Sequence, residues 1–377
     1  MDTSLENLDT PALLLDQEIL SRNCARMGKR LRAGGIDLRP HLKTAKSRAV
    51  AKLATEGHSG AVTVSTLAEA RYFLEGGFTD ILYAVGMVAG KAAAAAALQR
   101  DGARLTLVLD SVAAAKSVGE AAEKLDSRFR VLVELDTGGG RAGVAPDSDD
   151  LLAVARAIEA QPALELAGVM THAGHSYHCR GAEEIAAVAE EERQGLIQAA
   201  QRLREAGLPC PIVSAGSTPT AAHARSFEGL TEMRPGVYVF NDVDQVGIGS
   251  CAPEDIALTV LATVIGHNHR AGRILIDAGA LALSKDVSAQ EFFPDVGYGR
   301  VCDLSGRPLP GLYVESVHQE HGLIAAAEGA LPYDSLPIGS RVRIQPNHAC
   351  ITAAAYPHYQ VISDGRVIEQ WDRVNGW

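Results

Sequence analysis

The chain has 377 residues, of which 47% are hydrophobic and 21% charged, with a formal net charge of −11. Such a composition is that of a globular protein, and the length exceeds what one ordinary core organises, so two domains are expected. The acidic balance argues against general binding to nucleic acid or anionic membrane, and no apolar stretch approaches the roughly 20 residues of a membrane-spanning helix.

The first 15 residues lack the basic start and small-residue cleavage site of an exported chain. Cys24, Cys179, Cys210, Cys251, Cys302 and Cys350 are scattered without a CxxC spacing. A disulfide framework is therefore not expected, and a reducing cytoplasm is the expected compartment.

From residue 10 to about 245, short apolar runs alternate with helical stretches. Strands are predicted over 12–15, 36–42, 61–65, 81–85, 105–109, 131–135, 166–171, 212–214 and 237–240. Helices are predicted over 47–56, 67–75, 111–124, 149–159 and 182–206. Alternation of this kind implies parallel strands joined by crossover helices, and roughly eight such units predict an α/β fold of the (β/α)8 TIM-like barrel type. Lys43, Asp110, Asp136, His172 and Ser217 each follow such a run. That rim is where barrel active sites form. After residue 250 the long helices stop. Residues 251–377, together with 1–9, are read as a mainly β domain, with 10–250 as the barrel. Ser363-Asp364-Gly365 between two apolar runs signals a hairpin.

Several segments carry candidate chemistry. In Arg39-Pro40-His41-Leu42-Lys43-Thr44 a lysine at a strand end can form a Schiff base, although spacing alone does not separate Lys43 from Lys46. Ser214-Ala215-Gly216-Ser217-Thr218 follows a strand and opens a helix, which suits a phosphate or an ordinary N-cap. His172, His175 and His178 are clustered, and His172, directly after a strand, is the preferred cofactor contact. In Pro346-Asn347-His348-Ala349-Cys350, alternation along a strand would point His348 and Cys350 to one side, where imidazole and thiolate favour zinc. The glycine-rich Asp136–Gly143 stretch is not a dinucleotide fingerprint. It reads as a loop that places Arg141 near a ligand.

Taken in order, the motifs resemble the fold-type III pyridoxal-phosphate enzymes of the D-serine dehydratase and D-threonine aldolase family, with the D-threo-3-hydroxyaspartate dehydratase branch nearest. The resemblance runs from Asp9-Thr10-Pro11 to His348–Cys350. Its implied fold is an alanine-racemase-like barrel plus a β domain. Its implied cofactors are pyridoxal 5′-phosphate and Zn2+. By resemblance, Lys43 carries the cofactor and acts catalytically, Arg141 faces the ring nitrogen, His172 contacts the ring and Tyr177 lies near the cofactor's substrate face. Gly216, Ser217, Thr218, Gly236 and Tyr238 hold the phosphate, and His348 and Cys350 bind zinc. The aldolases of this family place an aspartate where this chain has Cys350, which points to the dehydratase side. The expectation is a cytoplasmic homodimer acting on a small D-3-hydroxy amino acid. Rival readings are a retro-aldol lyase, an amino-acid racemase, a non-catalytic pyridoxal-phosphate carrier and a metallohydrolase using the 172–178 histidines.

Overall fold

The structure is a computed structural model that describes residues 3–377. Met1 and Asp2, assigned above to the β domain, lie outside the described residues. The chain divides into two compact units. One runs Ala25–Gly236 with Gly376–Trp377, and the other joins the residues up to Cys24 with Val237–Asn375.

In the first unit eight parallel strands stand in the order Asp37–Leu38, Glu232–Met233, Ile212–Ala215, Leu164–Thr171, Phe129–Leu135, Arg104–Leu109, Asp80–Gly86 and Val62–Val64. Just past Leu38, His41 forms a parallel bridge to Thr63, and the Leu42 N–H donates to the Thr63 carbonyl at 2.8 Å. The row thereby meets itself as a (β/α)8 TIM-like barrel. Its strands are nearly continuous apolar runs because both faces are covered: Leu105, Leu107, Val108 and Leu109 are all buried. The surrounding helices present one apolar stripe each. In Asp149–Glu159 that stripe is Leu151, Val154, Ala155 and Ile158. Side-chain caps fix several starts. Thr66 accepts the Glu69 N–H and Ser111 the Ala114 N–H, each satisfying a donor that the helix leaves unpaired.

Two strand assignments differ from expectation. Residues 237–240 form a 3-10 turn, Val237–Val239, and the barrel strand lies just before it at Glu232–Met233. That strand escapes a hydrophobicity reading because its interior is charged. Glu232 accepts from Arg39 at 2.8 Å and from the Ser214 hydroxyl at 2.6 Å, while Arg39 also donates to Asp80 at 2.8 Å. The run Ala12–Asp16, counted above with the barrel, instead pairs antiparallel with Leu258–Asn268 and parallel with His358–Ser363. A fully buried apolar run does not reveal its partner.

The second unit is built on a ten-stranded, mainly antiparallel sheet. Leu258–Asn268 pairs with both Arg273–Ile276 and Arg341–Gln345, and the intervening strands complete a ring of six. Leu5, Ala12, Leu14, Leu261, Ile362 and Val367 pack as one core cluster. The expected hairpin is present: His358–Ser363 pairs with Arg366–Asp372, and Asp364 and Gly365 have φ of 49° and 71°. Both values suit the turn that matches strand twist. None of the six cysteines forms a disulfide. Among the described residues no helix is long and apolar enough to cross a membrane.

Candidate functional site

At the C-terminal ends of the barrel strands lies a cavity of about 390 Å³, within the range of roughly 300–1,000 Å³ of small-molecule sites. His41, Lys43, Ser65, Glu134, Arg141, Met170, His172, Gly216 and Arg234 are among its lining residues. Lys43 follows the bridge that joins the first strand to its neighbour. Lys46 is engaged elsewhere: its Nζ lies 3.1 Å from Glu69 Oε1. The structure thus separates the two lysines that spacing could not.

The cavity is cationic. Burial, followed by the charge of Lys43, holds the His41 imidazole well below its ordinary value and brings His172 down to about 3. Nδ1 of His172 lies 3.1 Å from the Gly216 carbonyl oxygen, which fixes the ring at the wall. Arg234 is buried and donates to the Ser214 hydroxyl and to the Thr171 carbonyl. Arg141, by contrast, has a side chain 65% exposed, with Nη2 3.8 Å from Glu134 Oε1. Burial raises the Glu134 carboxyl, and Arg141 opposes that shift. The 136–143 loop that carries Arg141 is folded over Asp136, whose Oδ1 accepts the Gly138 and Gly140 N–H groups at 2.9 and 3.1 Å.

The other predicted residues are distributed as follows. Tyr177 is half-buried, with its ring 6.0 Å from the His172 ring. Ser217 is the N-cap of Thr218–His223. Its hydroxyl lies 2.8 Å from that of Ser176, and its N–H donates to Thr220 at 3.0 Å. Thr218 is buried in the first turn. Gly236 packs so closely that an added Cβ would sit 2.9 Å from the His41 carbonyl oxygen. Tyr238 belongs to the second compact unit, buried in the Val237–Val239 turn. Of the 172–178 histidines, only His172 lines the cavity; His175 packs on Gly138 and His178 is exposed.

His348 and Cys350 lie in the second unit. His348 occupies the N-cap position of the helix Ala349–Ala353 without a side-chain capping bond, and Cys350 sits in the first turn, so the strand expected here is not formed. Arg341–Gln345 stops before Pro346, and the Ala349 N–H donates to Asp242 at 2.8 Å, which anchors the helix start. The two side chains nevertheless meet, because the imidazole hydrogen-bonds Cys350 while its Nδ1 lies 2.9 Å from Asp286 Oδ2. Burial alone would lower this imidazole; Asp286 and Cys350 outweigh it and raise it to about 11. Among the described residues no three His, Cys, Asp or Glu side chains gather as a metal group.

The donor sets fit the implied groups. An amine, two guanidiniums and an imidazole around one strand-end cavity suit an anionic, electron-poor aromatic aldehyde such as pyridoxal phosphate. An imidazole in contact with a thiol suits zinc with positions left open for water or substrate. Sequence reasoning missed His41, Glu134 and Arg234. His41 could have been found from its place two residues before Lys43. Arg234 carries no local signal, since it follows a two-residue strand.

Comparison with known proteins agrees with this geometry. Residues 15–243 match the alanine racemase N-terminal domain, and residues 257–362 match a serine dehydratase domain. D-threo-3-hydroxyaspartate dehydratase of Delftia sp. (strain HT23) is 47% identical over 381 residues, covering 100% of both chains. D-serine dehydratase of Dictyostelium discoideum is 31% identical over 394 residues, covering 99% of this chain and 98% of that one. A solved structure of a cysteine-to-alanine mutant of D-threo-3-hydroxyaspartate dehydratase, in the metal-free form, superposes with a TM-score of 0.95 at 47% identity, covering 99% of this chain and 100% of that one. With likeness over its full length and both domains in the same order, the chain belongs to the fold-type III pyridoxal-phosphate family of D-serine and D-threo-3-hydroxyaspartate dehydratases.

Proposed function

We propose that this protein is a pyridoxal-phosphate- and zinc-dependent dehydratase that converts D-3-hydroxy amino acids, such as D-threo-3-hydroxyaspartate or D-serine, to a 2-oxo acid and ammonia. The observation that carries the reading is the strand-end cavity with Lys43, His172, Arg141 and Arg234 on its wall. Its likeness to a dehydratase at 47% identity supports the substrate class.

Lys43 would hold the cofactor through its Nζ and, when that amine is free, would take the α-proton as a positioned base. The bound cofactor supplies an electron sink for the negative charge left at that carbon. Gly216, Ser217 and Thr218, with Gly236 and Tyr238, serve the phosphate end, and Tyr177 lies towards the ring beside His172. His172, kept neutral by burial, stacks or hydrogen-bonds without adding charge. Two guanidiniums are candidates for the ring nitrogen. Arg141 has that place by resemblance, but burial favours Arg234, whose position two neighbours fix. Either guanidinium keeps its proton and would present a hydrogen-bond donor, not a carboxylate, to the ring nitrogen. His348 and Cys350 would hold the zinc, which would supply Lewis acidity for loss of the hydroxyl group. Hydroxide is a poor leaving group, and elimination needs that assistance. The homodimer and the reducing cytoplasm belong to the same proposal, the latter supported by six cysteines that form no disulfide.

The test is chemical labelling. Borohydride should abolish a visible absorption band and leave the pyridoxyl group on Lys43. Lys43→Ala should lower turnover by about a thousandfold or more, the range of a lost positioned base with its cofactor link. Unchanged turnover in Lys43→Ala would refute the reading.

A further inference from the structure

Glu192 lies in the middle of the long helix Ala182–Glu205, on the stripe formed by Ile185, Ala189, Leu196 and Ala199. Every other member of that stripe is apolar. A carboxylate in such a place costs several kcal/mol to desolvate unless its oxygens are well satisfied. The side chain is 1% exposed.

Its hydrogen bonds go to two strand-end loops and to the first turn of the helix Thr218–His223. Oε1 accepts the Ala173 N–H at 3.1 Å and the Gly216 N–H at 2.9 Å. The carboxylate also hydrogen-bonds the Thr220 side chain. Ala173 directly follows His172, and the Gly216 carbonyl oxygen is 3.1 Å from His172 Nδ1. The Gly216 residue is therefore held on both of its backbone groups, its N–H by Glu192 and its carbonyl by His172. The Ser176 and Ser217 hydroxyls, 2.8 Å apart, tie the same two loops a second time. Gly216 and His172 line the cavity, whereas Glu192 stands behind them.

We propose that Glu192 is a positioning residue for the cofactor site, which sets the His172 ring and the Gly216 peptide at the cavity wall through the Ala173 and Gly216 N–H groups. The inference rests on the reading of this cavity as a cofactor site. It acts by hydrogen-bond geometry, so an amide of the same shape can replace the carboxylate: the Gln oxygen takes both N–H groups and its NH2 meets the Thr220 hydroxyl oxygen. Leucine fills the same volume and accepts nothing.

The experiment compares full-length E192Q, E192L and wild type by pyridoxal-phosphate titration and by amide exchange at Ala173 and Gly216. E192Q should bind the cofactor within about threefold of wild type, and E192L at least about tenfold more weakly, as expected when two buried N–H donors lose their acceptor. The Ala173 and Gly216 amides should exchange faster in E192L, and as slowly in E192Q as in wild type, with or without cofactor. If E192L does not fold, E192D, which withdraws the acceptor by one methylene, should show the same weakening. Wild-type affinity in E192L or E192D would overturn the inference, as would equal losses in E192Q and E192L. Absence of cofactor binding by wild type would defeat the functional reading, while the amide exchange would still decide the role of Glu192.

Discussion

Lys43 and Lys46 are three residues apart and chemically identical, yet only one faces the cavity. Lys46 adopts a left-handed φ of 49° and is paired with Glu69, whose other oxygen accepts the Ser65 N–H at 2.9 Å. No local pattern announces that pairing, because Glu69 comes from a different βα unit. His172 was legible as the residue after a strand, but its electrostatic state was not, since the neighbours that set it come from four segments. Burial, then Lys43, lower its folded pKa to about 3, against about 6.5 in an unfolded chain. Between those values the unfolded state takes up a proton that the folded state refuses, so stability falls as pH drops through that window. In the cofactor-free protein, His172→Gln should therefore lose less stability than wild type between pH 7 and pH 4.5, measured by urea unfolding. Equal losses would show that His172 is protonated in the folded protein.

At the level of elements, helices were read well. The predicted 67–75 and 149–159 coincide with Leu67–Glu75 and Asp149–Glu159, where a 3.6-residue apolar stripe and a polar outer face give a clear signal. Strands failed where packing overrode composition. Glu232–Met233 is short and lined by paired charges, and Ala12–Asp16 serves a different sheet. The His348–Cys350 pair was found for an inexact reason. Alternation on a strand suggested it, and an extended N-cap residue ahead of a helix start delivers it, with the His348 imidazole hydrogen-bonded to Cys350. The loop after Ile212–Ala215 offers a direct check of the site's architecture. Gly216 has φ of 119°, and a Cβ there would lie 2.8 Å from the Arg234 backbone nitrogen. Gly216→Ala should cost more than about 1 kcal/mol in stability, since the conformation is one that alanine avoids. Cofactor affinity should fall with it. Calorimetric unfolding and cofactor titration together read both effects, and wild-type values in both would remove Gly216 from the site.

Across the whole molecule, the fold class and the division of labour between a barrel and a β-rich partner follow from the change of rhythm near residue 250. The barrel unit supplies an amine and a cationic cavity; the β-rich unit supplies an imidazole and a thiol in contact. Each part makes a separable contribution. Removing the metal with a chelator, or substituting Cys350→Ala, should abolish elimination while leaving the borohydride-sensitive band intact, because Lys43 and its cavity lie wholly in the barrel. Absorption spectra and metal analysis on the same samples test this, and full activity without zinc would remove the metal from the account. The most direct measurement of the central claim is the product balance from D-threo-3-hydroxyaspartate with the purified enzyme. Elimination predicts ammonia and oxaloacetate in equal amounts; glycine and glyoxylate without ammonia would contradict it.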